Sequence, residues 1–280
     1  MYKPALTCRS LRLVVALAMT IWMLTAAAPA SAIEMIVYDE TGYRNALQAL
    51  SADETGPHTI VLGNDITLAS AATPTYSGTR SLTIQGKGYT LDGGGNSRVL
   101  YATSGAGDVT FIDTTITGGR FSGGGAGGGV WLRDGALTLI RTTVTGNTAP
   151  GNDGGGVAAG RLLAVDSVIS GNTAGDDAGG AAAKEVTLIR TSVIGNVANG
   201  YRGEGGGVFG DNVTAIRSTI TGNRLTRGAG GVGGGGVIAR GPLTLIRTTV
   251  SDNSGPNGSN VRVWDNGNGS GLRAVWATIE

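Results

Sequence analysis

The chain has 280 residues with 21 basic and 20 acidic side chains, a formal charge of +1. That balance provides no electrostatic footprint for nucleic acid or an anionic membrane. Fifty-one glycines beside only 7 prolines exclude collagen, and regularly spaced apolar residues exclude a disordered glycine-rich chain.

The first segment, MYKPALTCRSLR, carries Lys3, Arg9 and Arg12 and runs into an apolar stretch from Leu13 to Ala28 that closes on APASA. The three regions in that order predict a secretory signal peptide over residues 1–32, cut between Ala32 and Ile33. The apolar stretch is shorter than the ~20 residues of a spanning helix. Cys8 precedes the stretch and leaves with it. The mature chain is therefore expected outside the cell or at its surface, outer membrane associated, with no membrane span, disulfide or cysteine-bound metal.

Residues 33–57 are expected to form an N-terminal cap. TGYRNALQAL, Thr41 to Leu50, holds the one helical signal, with Tyr43, Leu47 and Leu50 on one face. From His58 onward the chain reads as coils of a solenoid, 58–280, opening with HTIVLGNDITL and SLTIQGKGYTLDGGG. His58, the one histidine, reads as a surface or cap residue.

A block then recurs: VTFIDTTITGG (109–119), LTLIRTTVTGN (137–147), LLAVDSVISGN (162–172), VTLIRTSVIGN (186–196), VTAIRSTITGN (213–223) and LTLIRTTVSDN (243–253), with LRAVWATI beginning another at Leu272. The block keeps its length while the connections vary, as from Asn172 to Val186 against Asn223 to Leu243. Rigid units joined by variable loops mark a stacked repeat. Alternating β-branched residues make the unit a strand, and a second strand signal follows each glycine run, as in GGGVWL and GGGVFG. Each unit is too small to bury a core alone, so coils stacked ~4.8 Å apart predict an all-β, single-stranded parallel β-helix. No cap signal follows Glu280, so another chain, another domain or further sequence is expected to cover the last coil.

Asn147, Asn172, Asn196, Asn223 and Asn253 close the same strand in successive coils. They are expected to tolerate a left-handed corner and to hydrogen-bond from coil to coil as a structural ladder, with Gly119 as a left-handed substitute. The glycine runs read as close-approach corners.

The GGG-V start followed by V-I-G-N resembles the GGA-[ILV] and F-x-x-N repeats of polymorphic outer membrane proteins, with Val or Ile for the Phe. SLTIQGKGYTLDGGG resembles the opening coils of pectate-lyase-like β-helices. Together the resemblance covers residues 58–279 and implies a right-handed helix. It implies no single activity, since such folds serve lyases, hydrolases and adhesins.

Alignment on the glycine runs puts Asp153, Asp177 and Glu204 at one position in three coils, with Asp176 beside them. These are the candidate metal ligands, Ca²⁺ being the one cofactor such a row could hold. Paired carboxylates could instead act as acid and base on a glycoside, but no catalytic set is specified. Lys184 and Arg202 near the row, and Arg217 and Arg247 in the column Asp113, Arg141, Asp166, Arg190, Arg217, Arg247, Trp276, are the candidate anion and glycan contacts. Alternating signs in that column predict ion pairs between coils; Arg217 over Arg247 would repel, which suggests an anion between them. Thr115, Thr143, Thr219 and Thr249 form an outward array, an ordinary strand choice, broken by Val168 in that column and by Ile194 two residues along the strand. The functional expectation is extracellular recognition or adhesion, with a polysaccharide or cell-surface glycan as partner. A polysaccharide lyase or hydrolase is the alternative.

Overall fold

A computed structural model describes residues 32–200, 204–227, 233–256, 259–263 and 271–280. The expected signal peptide and Arg202 lie outside the described residues. The fold is a parallel β-helix whose strands stack into three sheets of fifteen, nine and four strands, here sheets 1, 2 and 3. Every named pairing is parallel, so each coil lies in register on the next, as Leu137 does on Leu162 and Val144 on Ile169.

The four coils that contribute to sheet 3 follow one course. A sheet 1 strand such as Ala136–Ile140 ends at a bend, Thr143–Thr145 enters sheet 2, and Thr148–Ala149 forms sheet 3. A loop and two glycines then lead back to sheet 1. The two strand signals predicted separately for each unit fuse into one nine-residue strand in three coils, Val157–Val165, Ala181–Ile189 and Val208–Ile216. Where a turn intervenes, as between Val130–Leu132 and Ala136–Ile140, they stay apart.

Period-two alternation places Leu137, Leu139 and Val144 inside with no exposure, and the same positions behave alike through Leu243, Leu245 and Val250, whereas Leu272 and Ile279 in the last described coil are exposed. Burying each such side chain is worth about 1.5–3 kcal/mol. Because the covering surface belongs to the adjacent coil, that stabilisation exists only in the stack.

The bends replace an expectation about the asparagines. The left-handed residues are not the asparagines but the glycines before them, Gly118, Gly146, Gly171, Gly195 and Gly222, joined by Asp252. The second left-handed corner falls on the charged column: Asp113, Arg141, Asp166, Arg190, Arg217, Arg247 and Trp276 all have φ between 46 and 51°. This conformation costs a side-chain-bearing residue about 1–2 kcal/mol, and the corner recurs because it turns sheet 1 into sheet 2.

The region expected as a cap does two things. Ile33–Val37 is already a strand of sheet 1, paired with His58–Leu62. The helix Glu40–Ala52 starts at Asp39, whose side chain accepts from Gly42 N at 2.7 Å, and buries Tyr43, Ala46, Leu47 and Leu50. It packs against Thr75–Tyr76 and Ile33–Val37, covering the start of the first coils. His58 is buried rather than superficial, with Nε2 3.1 Å from Asp53 O and Nδ1 without a hydrogen-bond partner among the described residues. Among the described residues no helix is long and apolar enough to cross a membrane.

Candidate functional site

The loops from sheet 3 back to sheet 1 stack along one edge of the solenoid, and the aligned carboxylates lie there. Gly127 N donates to Asp153 O at 2.9 Å, Gly154 N to Asp177 O at 2.9 Å, and Ala178 N to Glu204 O at 3.1 Å. Asp153, Asp177 and Glu204 therefore occupy one position in three consecutive coils. Their carboxylates do not converge. Asp153 Oδ1 accepts from Asp177 N at 3.1 Å, Asp177 Oδ1 accepts from Glu204 N at 2.6 Å, and Glu204 Oε2 meets Arg240 Nε at 3.3 Å. The row expected to hold Ca²⁺, with Asp176, is thus a chain of side-chain-to-backbone bonds. Among the described residues no three His, Cys, Asp or Glu side chains are grouped to hold a metal. Burial raises the Asp177 carboxyl to about 7, helped by the charges of Asp153, Asp176 and Glu204 and opposed by the Glu204 N–H. Burial, with Asp176, also raises Asp153.

Beside this edge stands a feature that the repeat alignment did not disclose. Trp131 lies in register with Tyr101 below and Ala158 above, followed by Ala182 and Phe209. Tyr101 and Trp131 stack with ring centroids 4.8 Å apart and an interplanar angle of 23°, and both remain partly exposed. Arg98, only 2% exposed, lies behind them with its guanidinium 3.4 Å from the Phe121 ring centroid and 4.9 Å from that of Trp131. Its Nε donates to Gly127 O at 2.7 Å and its Nη2 to Ala126 O at 2.7 Å. Burial lowers its pKa to about 10. These bonds fix Arg98 as a strut for the aromatic step. At the far side of the two alanines, Arg240 covers the Phe209 ring at 4.6 Å. The available signal was aromatic recurrence two residues after the glycine positions, which the variable intervening loops obscure.

Two residues beyond Trp131 and Ala182 come Arg133, just past the end of Val130–Leu132, and Lys184, within Ala181–Ile189, both exposed. With Asp134, Gly160, Arg161 and Glu185 they line a shallow cleft of about 180 Å³. Lys184 is thereby placed in a cleft of mixed charge, away from the carboxylate row.

The charged column forms two bidentate pairs, Arg141 with Asp113 at 2.6 and 2.8 Å and Arg190 with Asp166 at 2.5 and 2.7 Å. The neighbouring guanidinium holds Asp166 below the ordinary carboxylate range, and each carboxylate raises its arginine. Arg217 is exposed and lacks an ion-pair partner among the described residues, while Arg247 lies 4.9 Å over the ring of Trp276.

The interior holds two polar ladders. Asn147 Nδ2 donates to Asn172 Oδ1, and so on through Asn196 and Asn223 to Asn253, at 2.8–2.9 Å. Each of these acceptor oxygens also takes the preceding asparagine's backbone N–H. Asn260, from outside the repeat block, supplies a final acceptor to Asn253 at 2.8 Å. The second ladder comes from the residue after each charged corner: Thr142, Ser167, Thr191, Ser218 and Thr248 are buried, with Thr142 N donating to Ser167 Oγ at 3.1 Å and Thr191 N to Ser218 Oγ at 3.1 Å.

A family model, the pectate lyase-like adhesive domain, matches residues 43–149. The matched stretch runs from the helix through the first asparagine rung and contains Arg98, Tyr101, Phe121 and Trp131. No curated protein and no solved structure matches the chain.

Proposed function

We propose that this protein is an exported surface adhesin that recognises glycans through the side of its β-helix. The observation that carries this reading is the aromatic step of Tyr101 and Trp131, held from behind by Arg98 and opening beside the Arg133–Lys184 cleft. Sugar rings present C–H groups that stack on an aromatic face and hydroxyls that both donate and accept. A partly exposed stacked pair beside a rim of guanidinium, ammonium and carboxylate groups offers partners for each. The match of residues 43–149 to an adhesive domain supports the same reading and includes the step.

The test is a glycan array probed with the secreted protein and with Trp131→Ala. The wild type retains one or more glycans and the variant loses at least tenfold in affinity while keeping its β-sheet circular dichroism. Binding unchanged by the substitution would move recognition elsewhere on the rod.

The near-neutral Asp177 carboxyl is the observation that favours the second reading, a polysaccharide lyase or hydrolase. Chain scission measured on the same glycans decides it. Cleavage abolished by Asp177→Asn would establish an enzyme, and absence of cleavage by folded protein leaves adhesion.

A further inference from the structure

The left-handed column displays its own rule for a guanidinium. Arg141 and Arg190 each reach back one coil and grip a carboxylate with Nε and Nη2, as Arg141 does with Asp113 and Arg190 with Asp166. The same corner backbone carries Arg217 and Arg247, with φ of 51 and 49° against 46 and 49° for the paired arginines. One coil back from Arg217 stands Arg190, already committed to Asp166, and one coil back from Arg247 stands Arg217. Two exposed arginines whose corner backbones lie about 4.8 Å apart therefore stand where the column elsewhere sets an oxyanion beside a guanidinium. Repulsion between them falls when an anion bridges them. Stacking on Trp276 occupies the face of the Arg247 guanidinium and leaves its in-plane N–H groups available. Trp276 is itself 77% exposed, a flat apolar surface next to the charge.

We infer that Arg217, Arg247 and Trp276 form a second recognition site, which binds the carboxylate or sulfate of an acidic polysaccharide between the two guanidiniums with a sugar ring against Trp276. The polysaccharide as carrier rests on the glycan-recognition reading; the oxyanion requirement comes from the column itself. A bridging oxyanion takes the place that Asp113 and Asp166 take lower in the column, and bidentate geometry favours carboxylate and sulfate over hydroxyl. Because the column is exposed, attraction weakens as salt rises.

The experiment measures binding of the full-length secreted protein to a uronate polymer, a sulfated polymer and the carboxyl-reduced neutral form of the first. Arg217→Asn with Arg247→Asn removes both charges yet suits the left-handed backbone. Arg141→Asn, at a site already paired, is the control. Binding of one or both acidic polymers is expected to fall at least tenfold in the double variant, to fall with salt, and to stay within twofold in the control. Trp276→Ala is expected to weaken the same polymers, and the acidic polymer preferred identifies the oxyanion.

Equal affinity of wild type and double variant for acidic polymers overturns the site, as does an equal loss in the control. Stronger displacement by an acidic peptide than by either polymer also overturns it, in favour of a protein partner. Retained binding of neutral glycans at the Trp131 step without preference for acidic ones sinks this inference alone. Failure to bind any glycan sinks the glycan-recognition reading as well.

Discussion

Gly156 and Asn172 share one space: a Cβ on Gly156 would lie 3.0 Å from the Asn172 side-chain amide and 2.6 Å from Gly180 O. The same exclusion links Gly129 with Asn147, Gly180 with Asn196, Gly207 with Asn223 and Gly236 with Asn253. Conversion of Gly156 to alanine forces methyl against backbone in the adjacent coil. The expected loss is about 1–3 kcal/mol, read as a lower urea midpoint with little change in slope. Gly151, with open space where its Cβ would sit, provides the contrast of steric freedom, although its φ of 80° adds its own strain to any substitution.

The asparagine ladder should be most sensitive in its interior. Asn196 Oδ1 accepts from both the backbone N and the Nδ2 of Asn172, and Asn196 is fully buried. Asn196→Ala leaves those donors without an acceptor where water does not reach, at a cost of about 2–4 kcal/mol. Asn253→Ala sits at 7% exposure, where water can substitute, so its cost should be smaller. Equal thermal shifts for the two variants would show that the amide chain is not the source of the stability.

How much of this was legible in the sequence depends on whether a residue repeats. Coil number, register and the asparagine column follow from a block of fixed length, because side-chain alternation ties each position to a face. Two conclusions went astray for a local reason. The left-handed asparagine was inferred from tolerance, yet Gly146 and its equivalents take that conformation and free Asn147 to turn inward. Gly119 was read as a tolerant substitute, but its φ is not left-handed; in its coil Val99, in register with Gly129, carries a side chain on the opposite partner of the corner. Asn260 also lies at the close-packed glycine register, beyond Gly236, and sends its amide into the next rung. A single-position reading misses such exchanges because only the sum of two positions is constrained. The aromatic step was hidden for another reason: its residues come from different coils across loops of unequal length.

The ion pairs on the left-handed column should contribute little. Arg190 and Asp166 are 42% and 40% exposed in their side chains, so solvent and salt screen them. Asp166→Asn keeps a residue suited to the corner and is expected to cost under about 1 kcal/mol. That difference should shrink toward zero in 1 M salt. A larger, salt-independent loss in thermal unfolding would mean that the carboxylate supports the corner itself.

The stacked acids make stability depend on pH in the opposite sense to that pair. Asp166 is held below its ordinary pKa, so its contribution is present above the unfolded value and disappears as pH falls through the folded one. Asp177 is raised from 3.8 to about 7, so the folded state binds the proton that the unfolded state has released. The Asp177 contribution is therefore complete below about pH 3.8 and is lost as pH rises through about 7. Asp177→Asn retains an oxygen to accept from Glu204 N while removing the charge that faces Asp153, Asp176 and Glu204. The substitution is expected to raise the melting temperature by several degrees at pH 8 and to change it little at pH 4, where the native carboxyl is already protonated. A variant destabilised equally at both pH values would show that the Asp177 side chain acts through its packing and its bond to the Glu204 N–H, independently of its charge.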